Sequence, residues 1–280
     1  QRPRDRQNQS LGGFRQQRTR QHPPAAKRRT PPARAAAGGD GAAFSALLFG
    51  RLNQRRGPLT VIGTDGGLLS APIVRPNVLL GPAERVEVWA DFSGMGKGDE
   101  ATLVSRELDL GPLSGMTGPG GMRGPAAGGR FLPNGAPFAV ARFEISHSET
   151  SSSQLPRQLS EFPPDDTDGD ARRTAPRQFH IAMNHMRGVI NNRVFEMNRV
   201  ADDEVVQLGT REVWEFINRG GMPALPHHMH VHGLQFRVLG RLGSRYDGYL
   251  DEGWKDTVLL MPGERVRLMM RFEDFDGLFL

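Results

Sequence analysis

Alternating apolar and polar residues predict that this chain is built from short β-strands. Glu84–Phe92 and Glu264–Phe272 show the pattern most clearly, because every second residue from position 86 and from position 266 is apolar. Successive side chains of a strand point to opposite faces, so this period of two predicts strands with one buried face. The predicted inward faces are Val86, Val88, Ala90 and Phe92 in the first strand and Val266, Leu268, Met270 and Phe272 in the second.

Shorter segments of the same kind occur along most of the chain. Ordered β-structure is expected to begin near Phe44, and Leu59–Gly67 is predicted to be a strand that runs into a glycine-rich turn. The other predicted strands are Phe138–Ile145, Val205–Leu208, Arg211–Asn218, Leu234–Leu239 and Thr257–Leu260. The chain contains 35 glycines and 21 prolines, and its aromatic content is only 7%, which favours a loop-rich β protein over a helical one.

An internal repeat predicts that two copies of one β domain follow each other. Three short matches occur in the same order, and the two longer ones recur after 177 and 180 residues. The matched segments are Leu52-Asn53, Leu59–Gly63 and Pro82–Val86 in the first copy and Ile217-Asn218, Phe236–Gly240 and Pro262–Val266 in the second. Repeats of alternating strands separated by Gly/Pro turns are typical of Greek-key β-sandwiches.

Composition divides the chain into four segments. Residues 1–41 are expected to be a disordered basic tail, because residues 1–40 carry ten Lys or Arg, two Asp or Glu and few large apolar residues. Residues 42–147 and 178–280 are predicted to be the two β domains. The segment 148–177 is rich in Ser, Pro and Asp and is predicted to be a linker.

Charge and cysteine content narrow the classes of function. Beyond residue 40 the chain has 26 basic and 29 acidic residues, so only the tail is expected to attract nucleic acid. The absence of cysteine excludes disulfides, thiolate catalysis and a blue-copper centre complete within these residues.

No apolar run reaches the ~18–20 residues of a membrane-spanning helix. Lys27–Thr30 resembles a twin-arginine export signal, but the prolines after it argue against a clear signal peptide.

The strongest chemical signal is the segment Leu225–Gly233, which contains four of the eight histidines. Imidazole is the most common protein ligand for copper, zinc and iron. If the segment is extended, His228, His230 and His232 share one face and His227 lies on the other. One strand could then serve two different metal sites. A histidine-rich surface edge without bound metal is the alternative interpretation.

Three kinds of metal site use a His-x-His pair on a strand. Zinc hydrolases need further His or Asp/Glu ligands and a positioned base. Cupins need a Glu about four residues after the second His and a later His, but this chain has Phe236 there and no histidine after His232. Copper oxidases combine His-x-His pairs from different domains, and the pattern fits this class best.

With its neighbouring motifs, this segment resembles the C-terminal domain of bacterial multicopper oxidases of the laccase and cuprous-oxidase type. The motifs that carry the resemblance are His227–Gly233, Gln235–Leu239, Gly253–Val258 and Pro262–Val266. Ile62–Gly67 is similar to the middle domain of that family, and Gly188–Arg193 with Phe195 is similar to the start of its third domain. The resemblance covers roughly Ala42 to Leu280.

The resemblance implies two tandem cupredoxin-like domains, the second truncated, and a copper-dependent oxidoreductase that oxidises phenols or metal ions while reducing dioxygen to water. His227 would bind type 1 copper, His230 type 2 copper and His232 one ion of the type 3 pair. His228 replaces a proline of the family motif, whereas His180 and His185 match no ligand and are expected to be structural or surface residues. Trp254, Lys255 and Asp256 are expected to contribute packing and a strand-end ion pair.

The family pattern also implies ligands that these residues do not contain. Its first domain supplies two further His-x-His pairs, and its C-terminal His-Cys-His segment holds the type 1 cysteine. We therefore expect a fragment that is inactive by itself and needs a further domain to complete the cluster. The family places such enzymes in the periplasm or outside the cell. The alternative function is a copper-free cupredoxin-like structural or interaction module.

Overall fold

The computed structural model describes residues 45–51, 58–110, 135–147, 154–162, 175–184, 187–196, 199–220, 224–274 and 276–277, with side chains from residue 58 onward. The predicted basic tail and His185 lie outside the described residues. Within the described part, no helix is both long and apolar enough to cross a membrane.

The described residues form fourteen β-strands and one short 3₁₀ helix at Asp202–Glu204. The strands are β1 Ser45–Arg51, β2 Leu59–Thr64, β3 Gly67–Arg75, β4 Val78–Leu80, β5 Glu87–Trp89, β6 Glu100–Arg106, β7 Phe138–Glu144, β8 Arg177–Asn184, β9 Arg187–Ile190, β10 Thr210–Asn218, β11 His227–His230, β12 Phe236–Leu242, β13 Thr257–Leu260 and β14 Arg265–Phe272. The predicted all-β fold class is thereby confirmed.

The strands form two pairs of sheets, one pair in each half of the chain. In the first half, the sheet β4-β1-β6-β7 accompanies the sheet β3-β2-β5. In the second half, the sheet β12-β14-β10-β8-β9 accompanies the two-stranded sheet β11-β13. Pairing is antiparallel except between β10 and β8, which run parallel. We call the two halves the first and the second sandwich.

The core of the second sandwich follows the predicted alternation. The inward face of β14 is buried as expected and packs with residues of β8, β10, β11, β12 and β13. The buried members are Phe179, Ile181, Phe216, Val231, Phe236, Val258, Leu260, Val266, Leu268, Met270 and Phe272. This core therefore backs the strand that carries the histidines.

The core of the first sandwich extends onto the second half of the chain. Its buried residues are Leu59, Val61, Leu69, Val78 and Leu250, the last of which belongs to the second half. Val86 and Val88 pack against it as predicted, but the strand is limited to β5 and Ala90 is exposed. A shared apolar cluster shows that the two sandwiches are packed together by burial as well as by polar contacts.

The prediction of a strand at Val205–Leu208 is wrong. The segment follows the 3₁₀ helix as irregular chain, and Leu208 begins the turn that precedes β10. Val205 and Leu208 are 59% and 49% exposed, while Val206 between them packs against the core of the second sandwich. A period of two becomes a strand only where a neighbouring strand accepts its backbone hydrogen bonds.

Part of the predicted linker packs onto the first sandwich. The Leu159 amide donates to the Ser70 carbonyl at 2.8 Å, and the Leu159 side chain contacts the first core. The Ser160 hydroxyl donates to the Leu69 carbonyl at 2.9 Å. These contacts cover β3, so this stretch is an ordered connection in its described part.

The repeated Pro-x-Glu motif forms the same turn in both halves. The Glu84 amide donates to the Gly81 carbonyl at 3.2 Å, and the Glu264 amide donates to the Met261 carbonyl at 3.1 Å. The third residue of each turn has a positive φ, 68° at Ala83 and 89° at Gly263. Each glutamate also accepts the first amide of its turn, at 2.8 and 2.9 Å. This equivalence supports the predicted internal repeat.

Candidate metal centre

The histidine segment forms β11, which pairs in antiparallel fashion with β13. His227 lies opposite Leu260 and His230 lies opposite Thr257. The Val231 amide donates to the Asp256 carbonyl at 3.0 Å and extends the pairing beyond β11. Because β13 is fully buried, it holds the histidine strand at a fixed register against the core of the second sandwich.

Alternation places the histidines on two sides of this strand. Met229 and Val231 pack in the core of the second sandwich, so His227 begins the row that faces this core. Burial lowers the pKa of His227, which keeps its imidazole neutral and able to donate to a metal. His230 and His232 are exposed on the other side. The predicted separation of His227 from the other two residues agrees with this arrangement.

His230 is held through its Nδ1 atom. This nitrogen lies 2.9 Å from the Asp256 carbonyl oxygen and 2.9 Å from the Thr257 hydroxyl oxygen. A carbonyl oxygen can only accept, so Nδ1 carries a proton, and in the neutral ring Nε2 keeps its lone pair. Histidines that bind metals through one ring nitrogen commonly donate from the other in this way. The His230 ring is therefore oriented and protonated as a metal ligand requires.

His232 lies beside His230 beyond the end of β11. The two ring centroids are 4.9 Å apart, with the planes inclined by 66°. Two adjacent, exposed imidazoles give nitrogen donors of the kind that copper favours. Among the residues that the structure describes, no group of three or more His, Cys, Asp or Glu side chains could hold a metal ion. The pair therefore offers two imidazole rings, without a third side chain of this kind placed to complete a site in the described part of the chain.

His228 does not join this pair, although alternation predicts the same side. Its ring lies against Gly81 of the first sandwich, so close that a Cβ atom at Gly81 would be 2.3 Å from Nε2. Desolvation lowers the pKa of His228 to about 4, and repulsion between the two neighbouring rings, which disfavours protonation of both His227 and His228, adds to this effect. His228 therefore belongs to the contact between the two sandwiches.

His180 lies in β8, where its amide donates to the Asn191 side chain at 2.8 Å.

A buried lysine next to the histidine strand ties the two sandwiches together. Lys255 is 1% exposed, and its Nζ lies 3.3 Å from both Asp65 and Glu84 of the first sandwich. Desolvation raises the pKa of Glu84 above its ordinary value, although the charge of Lys255 opposes this effect. A buried cation between two carboxylates is compensated only while all three groups stay in place.

Arg85 and Asp256 form the ion pair that was predicted at this strand end. Both terminal nitrogens of Arg85 donate to the Asp256 carboxylate, at 2.7 and 2.5 Å. Desolvation opposes ionisation of Asp256, but hydrogen bonds from Arg85 and Thr257 outweigh it and lower its pKa. The partners Asp65, Glu84 and Arg85 were not assigned from sequence. The Thr-Asp-Gly-Gly turn and the repeated Glu-Arg pair are the local signals that contain them.

Comparison with known proteins agrees with this geometry. The family model described as multicopper oxidase matches residues 170–280. A laccase of Haloferax volcanii is 32% identical over an alignment of 225 positions, which covers 78% of this chain and 33% of that laccase. The cell division protein FtsP of Photorhabdus laumondii is 30% identical over 204 residues, which are 72% of this chain and 37% of that protein. The chain thus spans about a third of the length of these relatives.

The fold is shared with solved multicopper oxidases. The McoA multicopper oxidase of the hyperthermophile Aquifex aeolicus superposes with a TM-score of 0.65 and 26% identity, covering 84% of this chain and 47% of that one. This likeness supports the cupredoxin-like β-sandwich interpretation of both halves. Residues 170–280 are therefore a multicopper oxidase domain, in a chain whose sequence is similar to that of a laccase over 78% of its length.

Proposed function

We propose that this chain is part of a laccase-like, copper-dependent oxidoreductase that oxidises phenols or metal ions and reduces dioxygen to water. The observation that carries the proposal is the hydrogen bond from His230 Nδ1 to the Asp256 carbonyl at 2.9 Å. It leaves Nε2 as the donor atom, beside the exposed ring of His232. Copper bound at such donors supplies one-electron redox chemistry.

The three histidines have different roles in this proposal. His227, on the core side of β11, would bind type 1 copper. His230 would bind type 2 copper and His232 one ion of the type 3 pair. The opposed faces of the strand support this division, because one strand then holds an electron-accepting site inside the sandwich and a dioxygen site at its surface. The buried surroundings of His227 would keep water from its metal.

The remaining ligands would come from outside these 280 residues. A blue-copper centre needs a thiolate, and the sequence contains no cysteine. We propose that the chain alone provides three ligands and that a further domain with His-x-His pairs completes the cluster. We also propose a periplasmic or extracellular location, where related enzymes would meet phenolic or metal-ion substrates.

A copper titration tests the proposal directly. The chain should bind Cu(II) in calorimetry, and the double variant His230→Ala/His232→Ala should lose this binding, while circular dichroism confirms that it still folds. The copper-loaded chain should remain without intense blue colour and should not oxidise a phenolic dye. Rapid oxidation of the dye by the chain alone would contradict the division of ligands between this chain and a further domain.

A copper-free structural or interaction module is the second candidate. It is favoured by the 30% identity to a relative that is named for cell division and not for oxidation. The same titration separates the two candidates. Cu(II) binding that is absent in the wild type, or unchanged in the double variant, would support the module.

A further inference from the structure

We propose that Asp65 and Arg85 of the first sandwich are positioning residues for His230 of the second. They would fix the direction of a copper-ligand ring that they do not touch. The inference rests on the proposed function, since it treats His230 as a copper ligand. Its structural part concerns the ring alone and can be measured without metal.

Asp65 binds the backbone of Asp256 and Thr257, the two residues whose oxygens lie against His230. Its side chain is fully buried, and Oδ2 accepts the amides of Asp256 and Thr257, each at 3.3 Å. Oδ2 also lies 3.3 Å from Lys255 Nζ. Oδ1 accepts the Arg85 amide at 2.6 Å. One carboxylate therefore links the turn of the first sandwich to the start of β13, where the acceptors of His230 lie.

Arg85 determines which oxygen of Asp256 accepts the hydrogen bond from His230 Nδ1. Its guanidinium holds the Asp256 carboxylate by two hydrogen bonds and also donates to the Asp65 carbonyl at 3.0 Å. In this position the carboxylate lies 3.6 Å from His230 Nδ1, beyond hydrogen-bond distance, whereas the Asp256 carbonyl lies at 2.9 Å. The side chain of Arg85 is half exposed, so it can be replaced without leaving a buried cavity.

The Thr257 hydroxyl connects the Asp256 carboxylate to the His230 ring. Its hydroxyl donates to Asp256 Oδ1 at 2.8 Å, so its oxygen lone pair is directed to His230 Nδ1 at 2.9 Å. If Arg85 no longer holds Asp256, the carboxylate can turn towards His230 Nδ1 and accept from it in place of the carbonyl oxygen. The proton would stay on Nδ1, but the ring would turn with its new acceptor, so Nε2 would no longer point in one fixed direction for a metal.

Another ion pair between the two halves provides a matched control. Arg75 of β3 pairs with Glu252, and the two side chains are 35% and 37% exposed. This pair joins the same two halves of the chain but is separate from the contacts of His230. Arg75→Gln therefore removes one partly exposed ion pair between the two halves and leaves the contacts of the His230 ring in place. Arg85→Gln also removes an ion pair between the halves, and in addition it releases the Asp256 carboxylate next to that ring.

The experiment compares the wild type, Arg85→Gln and Arg75→Gln. Two-bond proton–nitrogen NMR spectra of the metal-free chain report the two ring nitrogens of His230, with His230→Gln used to assign their signals. The wild type and Arg75→Gln should give the same Nδ1 signal, and Arg85→Gln should shift it, because Nδ1 then donates to the Asp256 carboxylate in part of the molecules. Calorimetry should show Cu(II) affinity reduced about 10- to 100-fold in Arg85→Gln alone, as found for residues that orient metal ligands elsewhere.

The outcomes separate this inference from the proposed function. An unchanged Nδ1 signal in Arg85→Gln, or an equal change in Arg75→Gln, would overturn the positioning role. A change of the Nδ1 signal confined to Arg85→Gln supports it, even if no variant binds copper. If no variant binds copper, the positioning role of Arg85 is supported and the proposed copper function is contradicted.

Discussion

Glu84 and Glu264 close the same turn in the two halves of the chain, but their carboxylates meet cations in different places. Glu264 is 1% exposed and accepts from Arg241 at 2.9 Å and from the Tyr249 hydroxyl at 2.6 Å, so its contacts stay within the second half. Glu84 instead meets Lys255 of the other half at 3.3 Å. The carboxylate of Glu264 therefore binds within its own half, and the carboxylate of Glu84 joins the two halves.

The neighbours of the two turns differ as well. Arg85 holds Asp256 across the contact between the halves, while the matching Arg265 is exposed at the start of β14. Gly81 begins the first turn and contacts the His228 ring, whereas Met261 begins the second turn and is buried with Leu259 of its own half and Leu79 of the first half. A repeated local motif thus fixes the shape of a turn, and its surroundings decide what the turn holds together.

Removing the shared cation should produce the largest effect. Lys255→Met leaves Asp65 and Glu84 buried without their cation, and loss of one partner from a buried ion pair costs about 3–5 kcal/mol. We expect this loss in the free energy of unfolding, measured with urea at neutral pH. A loss below about 1 kcal/mol would show that the first turn does not depend on the second half.

Acid should weaken the contact at the first turn through His228. Its pKa in the folded chain is lowered from 6.5 to about 4, so its neutral form stabilises the fold above pH 6.5. As the pH falls from 6.5 to about 4, this contribution should be lost, by at most about 3 kcal/mol at 1.36 kcal/mol per pKa unit.

Unfolding free energies of the wild type and His228→Gln, measured between pH 7 and pH 4, check this expectation. The wild type should lose more stability than the variant over that range. Parallel curves would mean that protonation of His228 is equally easy in the folded and unfolded chains.

Adding a methyl group at Gly81 should cost about 2 kcal/mol, in the range found for overpacked sites. The new Cβ would lie 2.3 Å from His228 Nε2. A double-mutant cycle checks the cause, because Gly81→Ala should cost much less in a His228→Ala background. Equal costs in both backgrounds would separate Gly81 from His228.

The smallest effect is expected from exchanging the residues with positive φ. Ala83→Gly should stabilise the chain by roughly 0.5–1 kcal/mol, and Gly263→Ala should destabilise it by about 1 kcal/mol, because a Cβ is disfavoured in the left-handed region. Thermal unfolding of both variants tests this. Shifts of the same sign would show that the two turns are not equivalent.

Local patterns allowed much of the fold to be predicted. The inward face of β14 and the bounds of β13 follow from alternation and apolar runs, and the repeated turn follows from its Pro-x-Glu motif. β6 was not predicted from sequence, because its fully buried residues, Ala101 and Ser105, are small and do not form an apolar pattern. Val205–Leu208 has apolar residues like those of a strand but pairs with no strand among the described residues.

The candidate site was predictable only in part. His227, His230 and His232 follow from their spacing and from the family resemblance, and their copper roles stay predictions. The contacts that hold His230 join residues far apart in sequence, such as Asp65 and Thr257, which are separated by 192 positions. Spacing along the chain carries no information about such contacts, because they depend on how the two sandwiches pack.

Pulsed EPR of the chain with one equivalent of Cu(II) tests the central claim, that one strand presents two faces to copper. The spectrum should show coordinated imidazole from His230 and His232, should lose one imidazole in His230→Ala, and should be unchanged in His227→Ala. An unchanged spectrum in His230→Ala, or loss of an imidazole in His227→Ala, would contradict the division of the strand between two copper centres.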